Sequence, residues 1–184
     1  MPNRTTSRRR IRATAVMAMW VLLATAAACG SDAAAPNAAD RTFLQEMIPH
    51  HERAIEVARL GVTGATDPRV RAFAARIVRE QTPELTRMRD AAAGQRLDLT
   101  HGARAARHRI SDADLTALQS LRGTAYDRRF VQLHIMSETG AAEMARTELD
   151  DGDDATARAV ARPIATAPDT QIPELRALLA ALGR

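Results

Sequence analysis

Lysine is absent from these 184 residues, cysteine occurs once, and only five side chains are aromatic. Each shortage excludes something. With Trp20, Phe43, Phe73, Tyr126 and Phe130 as the whole aromatic set, a core has to be assembled from Ala, Leu, Ile and Val. That composition favours closely packed helices over a sheet. Cys29 has no second cysteine to pair with, and an unpaired cysteine in an exported chain calls for another explanation. There is no Gly-rich phosphate loop and no H-E-x-x-H string, so the common nucleotide and zinc-protease chemistries are not encoded. Having arginine as the only strong base is a mark of composition and carries little functional weight.

The net charge of +4 misleads. Arg4, Arg8, Arg9, Arg10 and Arg12 precede Cys29 and no acid does, which leaves 21 basic against 22 acidic residues beyond it. The remainder is close to neutral and lacks the electrostatic footprint of a nucleic-acid binder.

Residues 1–28 read as a signal peptide. A basic start runs into an apolar stretch, Ala13 to Ala28, too short for a permanent membrane span. Ala26-Ala27-Ala28-Cys29-Gly30-Ser31 resembles a lipoprotein cleavage site, with Cys29 acylated and residues 29–39 a flexible tether. Ser7-Arg8-Arg9-Arg10-Ile11 also resembles a twin-arginine export signal. The expected location is the outer face of the cytoplasmic membrane, or the periplasm or cell envelope, with the lipid as membrane anchor.

Two stretches repeat at an offset of 87 residues: Asp40–Ala58, DRTFLQEMIPHHERAIEVA, and Asp127–Ala145, DRRFVQLHIMSETGAAEMA. Eight of nineteen positions match, among them Asp40/Asp127, Phe43/Phe130 and Ala54/Ala141. Gln81-Thr82-Pro83-Glu84-Leu85 returns as Gln171-Ile172-Pro173-Glu174-Leu175, now at an offset of 90. These echoes indicate an internal duplication. In the first copy Phe43, Leu44, Met47, Ile48, His51, Ala54, Ile55 and Ala58 fall at helical spacing on one apolar face. Asp40 is the expected N-cap of this helix, and Pro49 is expected to kink it. Asp67-Pro68 opens a second helix, interrupted at Pro83, and Ser111-Asp112-Ala113-Asp114 opens a short one. A third main helix runs from about Thr124 to Leu149. The last, Ala155 to Leu182, holds Pro163, Pro168 and Pro173 and is expected to be broken. The predicted fold is all-α: a four-helix bundle built from a duplicated helical hairpin, with a short extra helix in the central connection.

The pattern D-x-x-F-L-x-x-M-I-x-H-H-x-x-A-I-x-x-A, from Asp40 to Ala58, resembles the DUF305 family, and the likeness extends from residue 40 to the C-terminus. The resemblance implies a ferritin-like helical domain over residues 40–184 in a small secreted or lipid-anchored bacterial protein. The family has no general activity assigned, and some members are implicated in binding copper through Met and His. This chain departs from the pattern in two ways. The second copy has Ser137 and Glu138 where the family often keeps a His pair, and residues 95–110 contain no Met.

The residues themselves support a metal site. His50 and His51 point about 100° apart on a helix, so both cannot chelate one ion in a simple helix. Met47 lies one turn before them, and a thioether beside an imidazole suits Cu(I), while imidazole also suits Cu(II) and Zn(II). Glu52 is a candidate acceptor for a ring N–H. The second copy offers His134, opposite Met47 in the repeat, with Glu138 and Met136 as further candidates. If the halves pack about a two-fold axis, Met47 and His134 are expected to be neighbours. No histidine has Glu three residues before it, so the Glu-x-x-His pairs of di-iron bundles are missing. The expectation is a non-enzymatic, lipid-anchored protein that binds a metal ion, copper foremost, through His50, His51, Met47 and His134. The competing expectation is an envelope interaction module whose histidines order the core.

Overall fold

The computed structural model describes residues 35–100 and 109–183, and every regular element among them is a helix. They are α1 (Ala38–Gly64), α2 (Pro68–Gly94), α3 (Asp112–Ser120), α4 (Gly123–Asp151) and α5 (Ala155–Ala181). Cys29 and the expected signal peptide lie outside the described residues, as do His101 and His108. No helix among the described residues is long and apolar enough to cross a membrane.

Helices α1 and α2 form one hairpin and α4 and α5 the other. They pack α1 on α4 and α2 on α5, while α3 lies against α4. The two hairpin turns, residues 65–67 and 152–154, are related by the same offset of 87.

One pair of residues makes the duplication visible in three dimensions. Asp40 Oδ1 accepts hydrogen bonds from the amides of Asp153 (3.0 Å) and Asp154 (2.8 Å) in the turn of the second hairpin. Asp127 accepts from the amides of Thr66 (2.9 Å) and Asp67 (2.7 Å) in the turn of the first. Each contact is the other shifted by 87 at both ends, so the two halves are related by a pseudo-two-fold axis. Both carboxylates are buried, and each holds orphan amides at the start of a helix in the opposite hairpin.

The helix boundaries follow local chemistry. Asn37, rather than Asp40, caps α1. Asn37 Oδ1 accepts from the amides of Ala39 and Asp40, and Asp40 answers as the third helical residue by accepting from the Asn37 amide. Both residues can cap, and the reciprocal box decides between them. Asp67 caps α2 ahead of Pro68, and Ser111 with Asp114 forms the box that opens α3. The prolines break nothing: α1 continues through Pro49, α2 through Pro83, and α5 through Pro163, Pro168 and Pro173. For α5 the reason is burial. Val160, Ala161, Ile164, Ala165, Leu175 and Leu178 all face the bundle, and that apolar face outweighs the missing amides.

The apolar core comes in two parts, one toward each end of the bundle. One part holds Leu44, Met47, Ile48, Met88, Ala145 and Ala161; the other holds Val57, Phe73, Phe130, Val131, Leu133 and Leu175. Between them, near the midpoints of α1, α2 and α4, lies a layer of buried polar residues: His50 and His51 from α1, Gln81 from α2, Ser137 and Glu138 from α4.

Candidate metal centre

The axis passes through this polar layer. His50 Nε2 lies 3.4 Å from Ser137 Oγ, and these two residues are themselves related by the offset of 87. Equivalent positions can meet each other only near the axis, so position 50/137 marks the crossing of α1 and α4. His50 is fully buried, and burial, followed by the neighbouring His51, pushes its pKa down to about 3. It is therefore a neutral imidazole, with Nδ1 lacking a hydrogen-bond partner among the described residues.

His51 points elsewhere. Its ring centroid is 6.1 Å from that of His50, with the planes at 52°. His51 Nε2 meets Glu84 Oε2 at 3.1 Å, and Nδ1 has no partner among the described residues. Together they border a cavity of about 230 Å³ whose polar wall also includes Glu80, Gln81, Glu138 and Gln171. Gln81 Nε2 donates to Glu138 Oε1 at 3.0 Å, while the Gln81 oxygen is buried without a partner. Burial, then the charges of Glu84 and Glu80, raise the Glu138 pKa to about 7. The cavity thus gathers an imidazole, three carboxyl groups and two amides where α1, α2, α4 and α5 meet. Among the described residues, however, no three His, Cys, Asp or Glu groups are close enough together to hold an ion without moving.

The other candidates are distributed differently from the expectation. Met47 is fully buried in one apolar cluster, while His134 sits in the other against Phe130 (4.4 Å between centroids) and Phe73 (5.7 Å). They are not neighbours. The axis runs through position 50/137, one helical turn beyond each, and antiparallel packing carries the two away from one another. His134 is fully buried, neither ring nitrogen has a partner among the described residues, and burial lowers its pKa to about 3. Glu52 faces outward and accepts from Arg89 Nη2 at 2.7 Å, so the acceptor for a histidine ring is Glu84. Met136 is half-buried against the cluster that contains His134. Sequence reasoning missed Glu84 and Gln81. Their signal was the repeated Q-x-P-E-L string, which marks the α2 and α5 segments that close the polar layer.

A duplicated helical hairpin, folded as a four-helix bundle with a buried polar layer at mid-height, is the class of protein these features define. The chain belongs to the DUF305 family, a domain of unknown function, which it matches over residues 3–92 and again over 93–179. The double match repeats the division between the hairpins. In fold it is similar to a DUF305 protein of Streptomyces coelicolor described as secreted (TM-score 0.72, 22% identity, covering 79% of this chain and 92% of that one). It is also similar to a DUF305 fragment from Deinococcus radiodurans (0.71, 21%, 80% and 99%). A third similar structure is CopM in its Cu(II)-bound form (0.65, 21%, 77% and 96%). No curated protein matches the sequence.

Proposed function

We propose that this chain is an exported, non-enzymatic metal-binding protein, tethered by acylation of Cys29, and that the mid-height cavity takes a copper ion through His51. The carrying observation is the polar layer itself. Apolar residues would pack the middle of this bundle at lower cost than His51, Gln81 and Glu138, whose burial opposes folding. A core interrupted this way, beside a cavity that a small ion can enter, supports a binding role. The similarity in fold to CopM, known in Cu(II)- and Cu(I)-bound forms, favours copper.

The donors set the expected preference. Imidazole nitrogen and carboxylate oxygen from His51, Glu84 and Glu138 suit Cu(II) and Zn(II). The soft thioether of Met47 does not line the cavity, so this site favours Cu(II) over Cu(I). An ion there displaces the hydrogen bond between His51 and Glu84, and Glu138 gives up its proton. His50 stands behind His51 on the axis and fixes the crossing of α1 with α4.

One observation favours a second reading. The described residues present no ready-made trio of ligands, as expected if the histidines only order the core of an envelope interaction module. A competition titration with Cu(II), Cu(I) and Zn(II) separates the two. The metal reading predicts one-to-one Cu(II) binding that is lost in His51→Ala and weakened in Glu84→Gln, with both variants folded. Weak binding that is equal in all three proteins would leave the structural reading.

A further inference from the structure

A second cavity, of about 420 Å³, lies between the first turns of α1 and the last turns of α4 and shares no lining residue with the first. Its walls combine apolar Ala39, Phe43 and Met144 with acidic Glu46, Glu143 and Glu148. Glu148 is the unusual member. It is 1% exposed, and among the described residues its carboxyl meets only the carboxyl of Asp40, the two sharing a proton. The titratable groups facing it are Asp40, Arg158 and Asp154. Asp40 is already engaged by the amides of Asn37, Asp153 and Asp154, and Arg158 donates to the carbonyls of Leu149 and Gly152.

The repeat shows that this acid is a local departure. The equivalent of Glu148 in the first half is Gly61, where the Phe130 ring packs so closely that an added Cβ would lie 2.6 Å from its Cζ. That end of the bundle is filled. At the other end Phe43, the counterpart of Phe130, borders the cavity instead, and a buried carboxyl replaces the glycine. Gly152 makes room for it: a Cβ there would lie 2.6 Å from Glu148 Oε2.

We propose that this cavity is a binding site for a small aliphatic amine, whose ammonium group pairs with Glu148 and whose methylene chain lies along Phe43 and Met144. A bare metal ion fits less well. The cavity walls carry no imidazole, and the volume is that of an organic ligand pocket. An ammonium group instead takes separate acceptors and tolerates an aromatic face nearby. Glu148 holds its proton near neutral pH, with a pKa raised to about 8 first by burial and then by Asp40. Binding of an ammonium ion therefore releases that proton.

The test is calorimetric titration of the purified protein with n-butylamine and 1,4-diaminobutane at neutral pH, in two buffers of different ionisation enthalpy. The expected result is saturable binding of at least one amine, with buffer-dependent heat from the released proton. Glu148→Gln should weaken it about tenfold or more, and n-butanol, the neutral counterpart, should not bind. If Glu148→Gln fails to fold, Glu143→Arg at the exposed rim decides, with the same loss expected. Absence of saturation by either amine up to about 10 mM, equal binding of the alcohol, or undiminished binding by the folded variants would overturn the assignment.

Discussion

Replacing His134 by Met, the residue at the equivalent position in the first half, should stabilise the protein, and increasingly so as the pH falls. Each term can be estimated from the surroundings of His134. The imidazole keeps a donor and an acceptor unpaired in a fully buried site among the described residues, a cost on the order of 1–3 kcal/mol. Its edge contact with Phe73 and tilted contact with Phe130 return about 0.5–1.5 kcal/mol, and a Met sulfur in the same place recovers a similar amount. The two ring terms cancel, so at neutral pH the variant is expected to be more stable than the parent by about 1–3 kcal/mol. The pH term has a definite sign. His134 has a folded pKa depressed to about 3 from an ordinary 6.5, so below pH 6.5 the unfolded chain takes up a proton that the folded chain refuses. Stability is lost at up to about 1.4 kcal/mol per pH unit between those values. His50, with its pKa also near 3, contributes the same slope, and the variant removes one of the two. Urea unfolding followed by circular dichroism at pH 7, 6, 5 and 4 reads the difference directly. A gap between the proteins that stays constant with pH, or a variant more than about 1 kcal/mol less stable at pH 7, would refute the reasoning and point to a bound partner for His134.

Glu148→Gln should flatten a different part of the pH curve. A carboxyl raised from 4.5 to about 8 gives stability present below pH 4.5 that drains away as pH climbs to 8, so parent and variant should diverge across that window in thermal unfolding. Gly61→Ala should destabilise by about 1–3 kcal/mol despite the better helix propensity of alanine. Its Cβ meets a Phe130 ring stacked on Tyr126 and wedged against His134, a loss that chemical denaturation would measure. Asp127→Ala leaves the amides of Thr66 and Asp67 without their buried acceptor. The expected cost is about 3 kcal/mol, with hydrogen exchange speeding up first at the N-terminal turn of α2.

Much of the fold was legible because the duplication leaves its mark on both polar and apolar positions. Asp40 and Asp127 align in the sequence, and in the structure they perform one job twice, each holding the opposite turn. The position of the axis was not legible. Knowing that Met47 aligns with His134 does not say whether α1 and α4 cross there or a turn later, and the crossing at His50/Ser137 separates the pair. Helix breaks expected at the prolines did not occur, because local penalties at Pro163, Pro168 and Pro173 are outweighed by a continuous buried face. The histidine pair pointed to the polar layer, but the groups that complete it, Glu84 and Gln81, come from a helix whose register against α1 is a tertiary matter. Glu148 was invisible for a related reason: a glutamate near a helix end reads as surface until the opposing hairpin covers it.

The central claim is that His51, at the wall of the mid-height cavity, holds a metal ion. Electron paramagnetic resonance of the protein with one equivalent of Cu(II) tests it most directly. The account predicts a single bound species with imidazole nitrogen and oxygen donors, abolished in His51→Ala and retained in His134→Met. A spectrum of unbound copper in the parent protein, or a bound signal that survives His51→Ala unchanged, would contradict it.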